Sequence, residues 1–255
     1  MSDFGELIGS DGLELRLTKK DLDLSFEQKD KIESDLKTLS KLRNYAQEKG
    51  YQFGLTGGYA VDVLCSNRIT RFHEDMDGIF FVPGDVPYGQ IVDDLSEKLL
   101  VEVTPWKLEK NNGGDLEFRE DDEKKDWAMR RRLELDIFEP NIDSRLVTNT
   151  LTDPDGNLYQ FETLSVEGLL AAKVMSTARL TAMTEGQREV EGFREMKDSD
   201  RQDFLRLMKH PKFNEEATKS ELERLICYVS DEEVSVDESK VQSNLKWEAA
   251  VGIMK

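Results

Sequence analysis

Two carboxylates stand two residues apart in Asp75-Met76-Asp77, where a polar stretch gives way to the apolar run Ile79-Phe80-Phe81-Val82. Successive side chains in an extended strand alternate faces, so Asp75 and Asp77 project to one side, roughly 6.6 Å apart along the backbone. Oxygens set that way can converge on one divalent cation or bridge a pair. The spacing alone says little. With 53 acids in 255 residues, about 11 such pairs arise by chance, and most are solvated strand ends. The setting says more: the second acid opens a buried element, and an unneutralised carboxylate there is costly, so a cation is its natural partner.

Upstream, Gly57-Gly58 marks a strand-to-helix junction. Glycines at such a junction let a phosphate chain approach the backbone N–H groups of a helix N-terminus, where the helix dipole also favours an anion. A lone Gly-Gly is more often an ordinary tight turn. A third acid could come from Arg132-Leu133-Glu134-Leu135-Asp136-Ile137-Phe138, where Glu134 and Asp136 share one face and Leu133, Leu135 and Ile137 the other. The bland reading is the wet face of a half-buried sheet. The functional reading makes one acid a metal ligand or the base that deprotonates a hydroxyl. Asp136 is the preferred candidate, because its shorter side chain holds an ion more rigidly and it lies deeper in the strand. Only two histidines (His73, His210) and two cysteines (Cys65, Cys227) occur, with no CxxC, so any metal here is a hard one held by carboxylates, as Mg²⁺ is.

The elements that must position these groups follow from local pattern. From Phe26 to Lys49, Ile32, Leu36, Leu39 and Leu42 repeat every three or four residues, an amphipathic helix ended by Gly50. Residues 51–55 read as a strand, 59–64 as the first turns of a second helix, and 75–82 as a buried strand closed by Pro83-Gly84. A helix over 88–99, a strand near 101–106, a turn at Asn112-Gly113-Gly114 with a hairpin after it, and a strand over 132–138 come next. Pro154-Asp155-Gly156-Asn157 is a turn between strand-like runs. After Ser165 the pattern is helical: 166–180, 200–209, 220–229 and 238–250. The fold class expected is α+β, a mixed sheet flanked by helices over 1–163 and a helical bundle over 164–255. Leu13, Leu15 and Leu17 form one short alternation near the start.

The balance of 35 basic against 53 acidic residues gives a net charge of −18, with 38% hydrophobic and 35% charged residues. That suits a globular chain and excludes collagen-like and low-complexity classes. No apolar run reaches the roughly 20 residues of a membrane helix, and the acidic start is unlike a signal peptide, so a cytoplasmic location is expected. The acidity opposes loose binding to nucleic acid and mildly favours a neutral or cationic substrate.

Together the motifs carry a family resemblance. Residues 55–82, LTGGYAVDVLCSNRITRFHEDMDGIFFV, resemble the signature of the aminoglycoside and lincosamide nucleotidyltransferases, within the polymerase-beta-like nucleotidyltransferase superfamily. Its pattern is Gly-Gly-x-Ala-x-Asp, then Thr-Arg-x-His, then x-Asp-x-Asp and apolar residues. The matching positions are Gly57, Gly58, Ala60, Asp62, Thr70, Arg71, His73, Asp75 and Asp77. The helical part is similar to nucleotidyltransferase toxins of abortive-infection type, which pair a helical Lys with a later Lys/Arg-Asp-x-x-Asp segment. Here Lys173 precedes Lys197, Asp200 and Asp203, although an exposed helix face rich in ion pairs explains the same spacing. Gly78 departs from the family, which has an apolar residue after the second Asp, so a kink or bulge is expected there.

The resemblance implies transfer of a nucleoside monophosphate from ATP or another nucleoside triphosphate to an acceptor hydroxyl, releasing pyrophosphate. Asp75, Asp77 and Asp136 would hold Mg²⁺, two ions in all, with Asp136 also accepting the acceptor's proton. Gly57 and Gly58 would lend backbone donors to the phosphates, and Arg71 and Lys173 would neutralise the triphosphate. Asp62 and His73 would brace the loop. A small, cationic, aminoglycoside-like acceptor fits the acidic stretches 117–126 and 231–238. A toxin-like enzyme acting on tRNA or protein would need a basic groove, for which Arg130-Arg131-Arg132 is the one cluster available. A non-catalytic nucleotide-binding or antitoxin-type partner is the third reading, and the intact carboxylates argue against it.

Overall fold

The computed structural model describes residues 22–99, 106–111, 114–122, 124–125, 130–138, 146–182, 198–229 and 247–254. Helix α1 (Phe26–Lys49) begins with a capping box: the Gln28 backbone N–H donates to Ser25 Oγ at 3.2 Å, and the Ser25 N–H donates to Gln28 Oε1 at 2.9 Å. It ends at Gly50, whose φ of 73° lets the chain leave in a left-handed turn. Ile32, Leu36, Leu39 and Leu42 form the fully buried stripe.

Seven strands form one mixed sheet: β1 (Gln52–Leu55), β2 (Met76–Phe81), β3 (Trp106–Asn111), β4 (Asp115–Glu120), β5 (Arg132–Phe138), β6 (Leu146–Thr152) and β7 (Leu158–Leu164), in the order β3-β4-β5-β2-β1-β7-β6. β2 and β5 run parallel, as do β1 and β7, while the other neighbours are antiparallel. Helix α2 (Gly57–Cys65) follows β1 directly. Helix α3 (Tyr88–Asp93) widens into a π-type stretch over Asp94–Leu99, so the expected 88–99 helix is present with a looser second half. β3 and β4 pair antiparallel on either side of residues 112–113, which lie outside the described residues, and the strand expected near 101–106 begins at Trp106. Residues 101–105 lie outside the described residues, as do Leu13, Leu15, Leu17, Lys197 and the 231–238 stretch.

One face of the sheet is apolar. Met76, Phe80, Phe118, Leu133 and Leu135 are buried there, and Phe80 meets Tyr45 of α1 edge-on. The kink expected at Gly78 is absent: its pairings to Leu55 and Leu135 continue the register without interruption. Gly78 is small for a different reason. A Cβ there would stand 2.6 Å from Phe53 Cε2, so the Phe53 ring occupies the space a side chain would need.

Beyond Leu164 the described residues hold helices α4 (Val166–Ala182), α5 (Asp198–Met208), α6 (Glu215–Val229) and α7 (Trp247–Met254) and no strand. Their apolar faces join the sheet's own core, since Leu170, Val174, Phe204, Leu207 and Trp247 belong to the same buried cluster as Ile32 and Phe80. Among the described residues no helix is long and apolar enough to cross a membrane.

Candidate active site

The glycine junction and the carboxylates meet because β1 and β2 are neighbours. The Thr56 N–H donates to the Asp77 carbonyl at 3.0 Å, tying the loop after β1 to β2. Gly57 then turns the chain with φ of 58°. A Cβ on Gly57 would lie 1.8 Å from Asp77 Oδ2, so glycine alone lets that carboxylate rest against the backbone entering α2. Thr56 makes no side-chain cap, which leaves the first-turn N–H groups of α2 without a side-chain acceptor. Gly58 is crowded in the same way: a Cβ there would be 2.4 Å from His73 Nδ1 and 2.7 Å from Arg71 Nη2.

Strand register decides which acid of β5 joins Asp77. Glu134 is the direct partner of Asp77, and Glu117 on β4 is the partner of Glu134, so all three share a face. Asp136 stands two pairs further along, beside Ile79 and Asp115, and is exposed. The structure thus gathers Asp75, Asp77 and Glu134, with Asp136 adjacent on the same face. Burial, then the charges of Asp75 and Glu134, push the Asp77 carboxyl well above the ordinary carboxylate range. Glu134 is also raised: burial outweighs the opposing pull of Arg132, and Asp75 and Glu117 add to it. No hydrogen bond or ion pair from the described residues ends on the side chain of Asp75 or Asp77. Among the described residues no three Asp, Glu, His or Cys side chains are already set to hold a metal ion.

The cations come from two directions. Arg71 Nη2 lies 2.9 Å from Asp203 Oδ2, and Lys173 Nζ lies 3.5 Å from both Asp203 and Asp200. Asp203, on α5, is buried and anchors both. Burial works against the Arg71 charge, but Asp203 more than restores it. Arg206, one turn on, donates to Ser66 Oγ at 2.7 Å and pairs with Asp62 at 2.9 Å, fastening α5 to the C-terminal end of α2. Asp203 belongs to the Asp-x-x-Asp segment that the sequence pairs with Lys173, and the fold makes that pairing; its hold on Arg71 and the anchoring role of Arg206 are carried by neither motif.

Asp62 and His73 form a brace. The fully buried Asp62 accepts from the Thr70 N–H at 2.9 Å and from the Thr70 hydroxyl, and lies 2.8 Å from His73 Nε2. The His73 ring packs on Tyr59 with centroids 4.3 Å apart, and its carbonyl accepts from Lys31 Nζ at 3.2 Å.

Two surface features change meaning in the fold. Arg130-Arg131-Arg132 is not an open basic patch. Arg131 is buried, sits over the Trp106 ring and bonds to Thr38 and Glu120, while Arg132 is paired with Glu117 and Glu134. The acidic stretch 117–126 is likewise partly neutralised, with Glu117 paired to Arg119 and Arg132 and Glu120 to Lys125 and Arg131.

No protein-family model and no curated protein matches the chain. Solved structures do. The antibiotic-resistance factor ANT(2'')-Ia is 12% identical, with 76% of this chain and 92% of that one covered and a TM-score of 0.48. The JHP933 protein of Helicobacter pylori is 16% identical, covering 91% of each chain at a TM-score of 0.43. An antigenic nucleotidyltransferase-like protein of Paracoccidioides brasiliensis is 17% identical, with 84% of this chain and 93% of that one covered at 0.39. The chain is similar to these proteins at a level that leaves its function to be argued from its own site.

Proposed function

We propose that this chain is a nucleotidyltransferase, moving a nucleoside monophosphate from ATP or another nucleoside triphosphate to a hydroxyl of a small acceptor. One observation carries the reading: the Asp77 carboxylate, with Asp75 and Glu134 around it and no donor from the described residues upon it, rests against Gly57 at the uncapped start of α2. Acids held on neighbouring strands by their backbones, two of them with no side-chain hydrogen bond from the described residues, are a hard oxygen set that fits Mg²⁺. Asp75, Asp77 and Glu134 would hold it, as two ions, with Asp136 next in line on the same face. Bound there, Mg²⁺ would polarise the phosphoryl oxygens and shield the departing pyrophosphate.

The chain's own groups account for the remainder. N–H groups of Gly57 and Gly58 receive phosphate oxygens where the helix dipole favours them. Arg71 and Lys173, held by Asp203, offset the triphosphate charge from the side of the helical half, residues 164–255, against the sheet-bearing half, 1–163. Asp136, further along β5, takes the proton of the acceptor hydroxyl. Asp62 and His73 keep Arg71 and the glycine turn in register.

A small cationic acceptor of aminoglycoside type remains the favoured class on the net charge of −18. The tRNA or protein alternative loses the arginine cluster on which it leaned, and a non-catalytic partner has no use for unpaired acids. The test is incubation with labelled nucleoside triphosphates, Mg²⁺ and a panel of aminoglycosides, with total tRNA in parallel. Asp77→Asn is expected to reduce transfer at least about a hundredfold while melting normally. Labelled RNA would move the acceptor to the alternative class, and a variant within about twofold of the parent would remove the metal assignment.

A further inference from the structure

A ladder of alternating charge crosses the site face of the sheet from its β3 edge. Arg119 bridges Glu109 at 3.0 Å and Glu117 at 3.2 Å, and Arg132 bridges Glu117 at 2.6 Å and Glu134 at 2.7 Å. The last rung, Glu134, is the acid that register sets level with Asp77. Arg132 reaches Glu117 with Nε and Glu134 with Nη2, so its planar fork spans both carboxylates with separate nitrogens. The same guanidinium is close enough to Asp75 and Asp77 for their charges to be felt. Asp77 thus feels Lys173 and Arg132, and of these two Arg132 also pairs with Glu134, so the acid that would complete a metal shell has an oxygen engaged by it.

We propose that Arg132 is a positioning residue that stands in for the divalent cation: it occupies Glu134 while no ion is bound, and Glu117 is the carboxylate to which it retreats when an ion takes Glu134. This rests on the metal reading above. It gives Glu134 two partners that exclude each other, so ion affinity is set by the strength of the Arg132 pair and not by the acids alone. An Arg132 that merely braces β4 against β5 would act in the opposite sense, because its loss would misplace Glu134 and weaken ion binding.

The experiment is a titration of full-length protein with Mn²⁺ alone, followed by the electron paramagnetic resonance signal of the free ion. Arg132→Gln is expected to bind Mn²⁺ roughly tenfold more tightly than the parent, and Glu117→Gln several-fold more weakly, since the whole fork then turns to Glu134. Both effects should vanish in the Glu134→Gln background, because a double-mutant cycle isolates what passes through that acid. Weaker or unchanged binding by Arg132→Gln overturns the proposal, as does a gain that persists without Glu134, which would be a long-range charge effect only. If Arg132→Gln does not fold, the Glu117→Gln and Glu134→Gln cycle decides alone. Absence of binding by the parent and every variant would instead remove the metal reading itself, a different outcome from a parent that binds and shows no coupling.

Discussion

Asp62 and Asp77 are carboxylates of one small region with opposite surroundings. Burial alone would raise Asp62, but the hydrogen bond and charge of His73, with Arg206 and Thr70, outweigh it and hold the carboxyl below its ordinary 3.8. A group lowered in the folded state contributes stability that is complete above the ordinary value and is lost as pH falls through the folded one. Asp62→Asn leaves the Arg206 charge short of a partner in a buried setting, so it is expected to cost about 3 kcal/mol near neutral pH. The gap between its melting temperature and the parent's should close as pH is taken below 3.8. A gap that stays constant across that range would mean that shape, not charge, is what Asp62 supplies. Asp77 is the reverse case: its surroundings favour neutrality, so it is poised for a cation that Asp62 already has.

At the scale of elements, β2 depends on a glycine in mid-strand. A methyl group on Gly78 would collide with the Phe53 ring on adjacent β1. Gly78→Ala is therefore expected to destabilise by about 1–3 kcal/mol. Phe53→Leu in the same chain should recover part of that loss, which chemical denaturation of the two single variants and the double variant would measure; strict additivity would refute the packing account. Much of this level is legible from local signals. Helix α1 shows its apolar stripe and, at Gly50, its end, and β5 shows itself in the alternation over 132–138. The choice between Glu134 and Asp136 is not legible, because two acids on one face differ only in register, and register is settled by partner strands distant in the chain. Gly78 misleads for a similar reason: a glycine in a strand reads as a bend until the ring filling its space is known. The arginine triplet at 130–132 reads as a basic patch because nothing local reveals that Arg131 points into the interior beside Trp106.

For the molecule as a whole, the helices after Leu164 share a core with the sheet, and their ion pairs reach back to Asp62 and Arg71. Thermal unfolding should accordingly show one transition, with calorimetric and van't Hoff enthalpies equal. Two resolved transitions would make the helical half an independent unit. A chain ending at residue 164 should fail to give a cooperatively folded product, because the apolar surface that meets Leu170, Phe204 and Leu207 would be left in water. The Arg71–Asp203 contact, which joins residues 132 positions apart, has a bearing on biosynthesis. A nascent chain has made Asp75, Asp77 and Glu134 well before the helix whose Asp203 steadies Arg71. On the proposed function, fragments from interrupted translation would carry the acids assigned to the metal but not the anchor, and would be poor consumers of nucleoside triphosphate until the final third had docked.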